Sequence, residues 1–142
     1  MGRAGRNEKL QKRLEQAEVP PRHRLRVFGF TTAMDELMAA ADVVVTKPGG
    51  LTTSEALARG AAIAVVNPIP GQESRNSDFL LENGAAVKIN NVATLAHKLG
   101  RLLGNPERLA QLKENARRLG RPDAAFVVAR AALSWPAGVA GG

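Results

Sequence analysis

Apolar residues along the chain form two kinds of pattern: short continuous runs, and longer segments in which they recur every three or four positions. Residues 43–45 and 61–66 are continuous runs rich in small and β-branched residues, as in parallel strands that are covered on both faces. Residues 25–28 and 86–89 form two further short runs. The pattern therefore predicts about four short strands.

The segments between and after these runs have the spacing of amphipathic helices. Stop and start signals agree with this interpretation, since Gly60 and Asn83-Gly84 follow two of the segments, and Pro106 and Pro122 lie near the starts of two others. The predicted helices span residues 8–16, 34–41, 51–59, 74–82, 92–103, 107–119 and 123–133.

Short strands that alternate with helices predict an α/β fold, a Rossmann-like open parallel sheet with flanking helices. A doubly wound sheet normally opens on a strand and a glycine-rich turn, whereas this chain is predicted to open on a helix. We therefore expect the first strands of the fold to be missing. Residues 1–133 are expected to form one partial domain, and residues 134–142 a flexible tail.

Composition narrows the class of protein. With 142 residues, of which 44% are hydrophobic and 23% charged, the chain is long enough for one globular domain with a core. It contains no cysteine, which excludes disulfides, thiolate catalysis and cysteine-ligated zinc. No apolar run approaches the roughly 18–20 residues of a membrane-spanning helix, and the N-terminal segment is basic and polar. These features predict a cytoplasmic location.

The net charge of +7 is distributed unevenly. Residues 1–26 and 98–142 each carry eight basic and three acidic side chains, whereas residues 27–97 carry four basic and seven acidic ones. Basic flanks favour an anionic partner, such as a nucleotide, a nucleic acid or a membrane surface. Aromatic residues make up only 4% of the chain and tyrosine is absent, which argues against base stacking on RNA. We expect no nucleic-acid partner, whereas peripheral contact with an anionic membrane stays open.

The loop after residues 43–45 carries the strongest candidate chemistry. Ligands of open α/β sheets bind at the carboxyl ends of the strands, where Gly49-Gly50 forms a junction between a strand and a helix. Glycines let a bound group approach the backbone, and a helix N-terminus offers N–H donors to a phosphate. Lys47 adds a cation. Glu55, one turn into the helix, is expected to face the same crevice and to accept hydrogen bonds from two vicinal hydroxyls.

The same residues also have a purely structural interpretation. Thr52 and Glu55 match a capping box, in which the Glu55 carboxylate only satisfies a backbone N–H, and Gly49-Gly50 would be no more than a tight turn. Spacing by itself leaves both interpretations open.

A family resemblance covers most of the chain. The run VFGFTTAMDELMAAADVVVTKPGGLTTSEALARGAAIAVVNPIPGQESRNSDFLLENGAA, residues 27–86, closely resembles the donor-binding half of family 28 GT-B glycosyltransferases. Among these it is similar to processive diacylglycerol glucosyltransferases and monogalactosyldiacylglycerol synthases. The specific feature is the pair of motifs PGGLTTSEA and NPIPGQExxN, and the resemblance extends from Ala4 to about Leu133.

The resemblance implies a binding site for a UDP-sugar. Phe30 matches the position that holds the uracil, and Glu55 matches the carboxylate that binds the ribose hydroxyls. Four positions match the turn that receives the donor diphosphate: Gly49, Gly50, Leu51 and Thr52. Three positions match the loop that reads the hexose hydroxyls: Gln72, Glu73 and Asn76.

The resemblance further implies an enzyme, a hexosyltransferase that uses a UDP-sugar and a diacylglycerol-type lipid acceptor, with no cofactor and no metal ion. In the family, the acceptor site and the proposed general base belong to an N-terminal domain that is expected to be absent here, so the catalytic residues stay unassigned. We expect the chain alone to bind UDP weakly and to show no turnover. Two alternatives stay open, a sugar-nucleotide epimerase on the same scaffold and a basic anion-binding module without catalysis.

Overall fold

The first of two units in the chain, residues 1–34, contains a pair of short parallel strands. The structure is a computed structural model that describes residues 2–3, 7–89 and 91–135. Strand β1 (Gly2–Arg3) pairs with β2 (Val27–Phe28), and α1 (Glu8–Glu15) packs on β2. The prediction that the chain opens on a helix is therefore wrong. A two-residue strand leaves no periodic pattern in the sequence, which is why it escaped prediction.

The second unit, residues 35–142, contains an open three-stranded parallel sheet. Its strands β3 (Val43–Thr46), β4 (Ala62–Val66) and β5 (Ala86–Ile89) are adjacent in this order. Every residue of β4 except Val66 is buried, as expected of a central strand that is covered on both faces. The structure confirms the predicted α/β class and the open parallel sheet.

Helices precede, connect and follow these strands. α2 (Met34–Ala39) precedes β3, α3 (Gly50–Ala58) connects β3 to β4, and α4 (Gln72–Glu82) connects β4 to β5. After β5 come a 3₁₀ turn (Val92–Thr94), α5 (Leu95–Leu103), α6 (Pro106–Leu119) and α7 (Ala124–Leu133). The predicted helices exist, but α4 begins two residues earlier than expected and the first turn of the helix predicted over 92–103 is 3₁₀.

One cluster of the core of the second unit lies between the sheet and the C-terminal helices. Leu102 of α5 and Leu112 of α6 are buried against Ala62 of β4. α6 also packs along α3, and Gly120 sets the distance between them, because a Cβ at this position would lie 2.5 Å from the carbonyl oxygen of Leu57. α3 is thereby held against both the sheet and α6.

α7 is apolar and yet has no buried residue. The exposed fractions of Phe126, Val128 and Leu133 are 71%, 68% and 89%. A helix that is apolar on all sides is normally covered by other structure. No helix in the described ranges is long and apolar enough to cross a membrane. Most of the predicted tail lies outside the described residues, and the prediction of one partial domain over residues 1–133 stays untested.

Candidate functional site

The carboxyl ends of β3 and β4 lead into two helices whose first turns are not capped by side chains. Gly49 is the N-cap residue of α3 and Gly71 that of α4, and neither provides a side-chain hydrogen bond. At the start of α6, in contrast, Asn105 Oδ1 accepts a hydrogen bond from the Arg108 N–H at 2.9 Å. An uncapped first turn leaves backbone N–H groups for a ligand, and the positive end of the helix dipole favours an anion.

Neither Gly49 nor Gly50 is required to be glycine by its own backbone or by its neighbours. Gly49 has φ −68° and ψ 145°, extended backbone that any residue adopts, and Gly50 is the first residue of α3. A Cβ built on either residue would meet no atom within 4 Å. The backbone does turn tightly before α3, since the Gly49 N–H donates a hydrogen bond to the Lys47 carbonyl at 2.8 Å, but this turn does not require glycine at either position. Open space in front of the backbone is instead what the close approach of a bound group requires.

The capping-box interpretation of Thr52 and Glu55 is wrong. α3 begins at Gly50, which places Thr52 inside the first turn instead of at the N-cap. The Gly49 carbonyl accepts the hydrogen bond from the Thr53 N–H at 2.9 Å. Glu55 is exposed, and its carboxylate forms no hydrogen bond or ion pair with any other residue that the structure describes. Its carboxylate therefore has no structural task in that part of the chain.

Asn76 connects the two motifs that are separate in sequence. Its Nδ2 donates a hydrogen bond to the carbonyl oxygen of Pro48 at 2.8 Å, which ties α4 to the turn after β3. Gly50 and Asn76 also line one cavity of about 160 Å³, whose other residues are Thr53, Ser54, Leu57 and Phe79. The turn PGGLTT and the first two turns of α4 therefore meet beyond the carboxyl end of β3.

The loop between β4 and α4 is braced by its own residues. Glu73 Oε2 accepts a hydrogen bond from the Ile69 N–H at 2.8 Å. Gly71 has φ +107°, in the region that favours glycine, so this bend depends on the absence of a side chain. Gln72 is exposed, whereas Glu73 is half-buried. The contact between Glu73 and Ile69 was not predicted. The spacing of two residues in a loop does not show whether the loop folds back so that their groups meet.

Glu55 and Asn76 line different cavities beside α3. Glu55 lines a cavity of about 230 Å³ that also includes Asp35 and Arg59, whose side chains form an ion pair at 3.5 Å. The structure therefore does not place Glu55 in the cavity that Gly50 and Asn76 line. The expected contact of Glu55 with the ribose stays a prediction.

The remaining predicted residues are accessible. Lys47 is exposed, Leu51 has an exposed fraction of 83%, and Thr52 is half-buried. Phe30 belongs to the first unit, two residues after β2, and its exposed fraction is 66%. Its predicted contact with the uracil stays a prediction. Among the described residues there is no group of three His, Cys, Asp or Glu side chains that could hold a metal ion.

Two buried hydroxyl groups at this edge were not predicted. Thr53 Oγ1 and Ser77 Oγ are buried without a hydrogen-bond partner in the described part of the chain. A buried hydroxyl without a partner costs about 1–3 kcal/mol. No sequence signal identifies such groups, because the partner of a helical hydroxyl depends on the element packed against it.

The amino-acid sequence of this chain is similar to those of known glycosyltransferases. Residues 1–119 match the family described as Glycosyl transferases group 1. The processive diacylglycerol beta-glucosyltransferase of Bacillus licheniformis is 34% identical over 124 residues, which cover 87% of this chain and 32% of that protein. The enzyme of the same name from Bacillus cytotoxicus is 36% identical over 121 residues, which cover 85% of this chain and 31% of that protein. The chain spans about a third of the length of these curated relatives.

Solved structures share the fold. MurG from Acinetobacter baumannii superposes with a TM-score of 0.75 over 92% of this chain and 40% of MurG, at 23% identity. A glycosyltransferase of kitacinnamycin gives a TM-score of 0.53 over 81% of this chain and 32% of its own length, also at 23% identity. These likenesses confirm the GT-B type of α/β fold. Together with the match over residues 1–119 and relatives above 30% identity, they lead to one conclusion: the chain belongs to the group 1 glycosyl transferases.

Proposed function

We propose that this chain is the UDP-sugar-binding part of a hexosyltransferase that acts on a lipid acceptor of the diacylglycerol type. The observation that carries the proposal is the open start of α3. Its first turn is uncapped, and Gly49 and Gly50 face space that no other described residue fills. The names of the relatives, processive diacylglycerol beta-glucosyltransferases, support the choice of a hexose and of a lipid acceptor.

The donor diphosphate is proposed to bind against the first turn of α3. The N–H groups of Gly50, Leu51 and Thr52 belong to that turn and have no acceptor within the helix. The exposed side chain of Lys47 adds a positive charge beside them. These donors are already oriented before the ligand arrives, so they stabilise the charge that develops on UDP as its bond to the hexose breaks.

The hexose is proposed to bind at the start of α4. Asn76 uses one N–H to hold the Pro48 carbonyl, which leaves its second N–H and its Oδ1 for sugar hydroxyls. Glu73 uses Oε2 for the Ile69 N–H and retains Oε1 as an acceptor. Gln72 contributes an exposed amide. Glu55 is proposed to bind the ribose, since its carboxylate has no other partner among the described residues.

The catalytic base and the acceptor site are not assigned to residues of this chain. Transfer requires a nucleophile and a base held beside the donor. We therefore expect the 142 residues by themselves to bind UDP-sugar without transferring the hexose. Since diacylglycerol is a membrane lipid, the proposal implies peripheral contact with a membrane. We place the proposed reaction on the cytoplasmic side. It includes no cofactor and no metal ion.

The proposal is tested by calorimetric titration of the chain with UDP, using Gly50→Ala and a matched control, Gly100→Ala. Gly100 is also helical, and a Cβ there also meets no atom within 4 Å. We expect Gly50→Ala to weaken UDP binding about tenfold, because the new methyl group occupies the approach of the diphosphate. Gly100→Ala should bind UDP like the wild type. Both variants should retain the wild-type thermal midpoint or exceed it, because alanine favours a helix over glycine.

Uridine, which lacks the diphosphate, separates the two parts of the site. Gly50→Ala should leave uridine affinity unchanged, whereas Glu55→Ala should lower the affinity for uridine and UDP alike. Equal UDP affinity of Gly50→Ala and wild type would contradict the proposal. A folded chain without any response to UDP would favour the anion-binding module, and interconversion of UDP-sugars without an acceptor would favour the epimerase.

A further inference from the structure

A third cavity, of about 290 Å³, lies where β5, α5 and the start of α6 meet. Its lining contains four cationic side chains and no carboxylate: Lys88, Lys98, Arg101 and Arg108. The sequence has no acidic residue between Glu82 and Glu107. The cavity shares no residue with the two cavities beside α3. It is therefore a separate concentration of positive charge.

Two of these cations are fixed in place by neutral groups. Lys98 Nζ donates a hydrogen bond to the carbonyl oxygen of Lys88 at 2.6 Å, and Arg108 Nη1 donates to Gln111 Oε1 at 2.9 Å. The side chains of Lys88 and Arg101 form no hydrogen bond with the rest of the described chain. The cavity is thus held open with its charges only partly satisfied.

None of the four cations forms an ion pair with a described carboxylate. Other cations of the same unit do, since Arg59 pairs with Asp35, Lys113 with Asp42 and Arg117 with Glu114. Like charges around one cavity repel one another, and a bound anion removes that repulsion. A bound anion would therefore gain from all four charges without competition from a paired carboxylate of the described chain.

The chemistry of the cavity indicates which anion fits. Arginine guanidinium groups bind phosphate through paired N–H donors, and lysine supplies a mobile point charge. Val87 and the buried Leu102 form the apolar part of the lining. We propose that this cavity binds a phosphate-bearing anion, either a lipid headgroup or a soluble phosphate compound, at a site separate from the α3 turn.

The site depends on these side chains and not on the helix terminus beside it. Asn105 Oδ1 already accepts the Arg108 N–H at the start of α6. Pro106 has no N–H, and Glu107 in the first turn offsets part of the dipole. Removal of the cations should therefore remove the binding.

The test compares two double variants that remove the same charge. Lys88→Gln/Arg101→Gln neutralises two exposed cations of the cavity, and Lys12→Gln/Arg13→Gln neutralises two exposed cations of α1. In calorimetric titration with inorganic pyrophosphate at physiological salt, the first variant should lose about tenfold in affinity. The second should match the wild type within about twofold, because salt screens distant charges. Introducing Gly50→Ala into all three proteins weakens any pyrophosphate binding at the α3 turn, so that binding at the cavity can be measured separately.

Vesicles identify the source of the phosphate. Sedimentation with phosphatidylglycerol vesicles, and with phosphatidylcholine vesicles as the neutral control, is measured for the same proteins. Loss of phosphatidylglycerol binding in the cavity variant alone would identify a lipid headgroup, whereas pyrophosphate binding without vesicle binding would identify a soluble compound. Equal behaviour of the two double variants with both probes would overturn the proposal. So would a folded wild type that binds neither probe, or pyrophosphate binding that Gly50→Ala weakens and the cavity variant leaves unchanged.

Discussion

The two ends of α3 are built in opposite ways. At its C-terminal end, Gly60 has φ +66°, its N–H donates to the Leu57 carbonyl at 2.9 Å, and the Ala61 N–H donates to the Ala56 carbonyl at 3.1 Å. This pair of bonds is a Schellman motif, which satisfies the last carbonyl groups of a helix. At its N-terminal end, Gly49 provides no side-chain cap. The C-terminal end is completed by the chain itself, whereas the N-terminal end has no side-chain cap and is where we propose that the donor diphosphate binds.

The C-terminal end of α3 is also more closely packed than its N-terminal end. A Cβ at Gly120 would lie 2.5 Å from the Leu57 carbonyl oxygen, and a Cβ at Gly60 would lie 2.6 Å from Arg117 Cγ. A Cβ at Gly49 or Gly50 would meet nothing. Glycine thus serves close packing at one end of the helix and access at the other. The packed end holds the helix in position, which keeps the N–H donors of the open end oriented.

The largest expected effect on stability is at the C-terminal end of α3, where Gly120 packs against Leu57. Gly120→Ala should lower the free energy of unfolding by about 1–3 kcal/mol, because the methyl group would force α6 away from the backbone of α3. Chemical denaturation measures this loss. The folded fraction should bind UDP as the wild type does, since the open end is not altered. If the free energy of unfolding falls by less than about 0.5 kcal/mol, α3 and α6 can move apart without cost. The C-terminal end of α3 would then be no more tightly packed than its N-terminal end.

An intermediate effect is expected from the bond that connects the open end to α4. Asn76→Ala removes the hydrogen bond to the Pro48 carbonyl, and should lower the free energy of unfolding by about 1 kcal/mol. It should also weaken the binding of UDP-glucose more than that of UDP, because the proposed sugar contact is lost as well. Denaturation and calorimetry separate the two effects.

Asn83→Ala is the matched control for this variant. It removes an equivalent hydrogen bond of 2.8 Å to the Phe79 carbonyl at the other end of α4. It should alter stability but not the ratio of the two ligand affinities. If Asn83→Ala and Asn76→Ala change that ratio equally, Asn76 has only a structural role.

The smallest effect on stability is expected from closing the open end. Gly49 has extended backbone, so Gly49→Ser should place a hydroxyl that caps α3 and should raise the free energy of unfolding by a few tenths of a kcal/mol. UDP affinity should fall at the same time, because the hydroxyl competes for the same N–H groups. The comparison variant Asn105→Gly should lower stability by a similar amount and leave UDP affinity unchanged. Parallel rises of stability and affinity in Gly49→Ser would contradict a ligand site at this helix start.

The sequence by itself determined the order of the strands and helices of the second unit, and most of their bounds to within two residues. Apolar runs identified β3, β4 and β5, and Gly60 and Asn83-Gly84 marked the ends of α3 and α4. These signals are readable because they come from local requirements, namely burial on both faces of a strand and the left-handed backbone that ends a helix. The motifs PGGLTTSEA and NPIPGQExxN are also short and local, so their resemblance to a glycosyltransferase family could be recognised in the sequence. The match to the group 1 family confirmed that resemblance.

Only the three-dimensional structure excluded one interpretation of the glycine-rich turn, the capping box, because α3 begins at Gly50 and its N-cap is Gly49. It also showed that a Cβ at Gly49 or Gly50 would meet open space, which the spacing of the residues does not reveal. Tertiary packing also joined Asn76 to Pro48, placed Glu55 in a different cavity and gathered four cations from β5, α5 and α6. Such contacts join residues far apart in sequence, and their geometry depends on how whole elements pack, which no local pattern encodes.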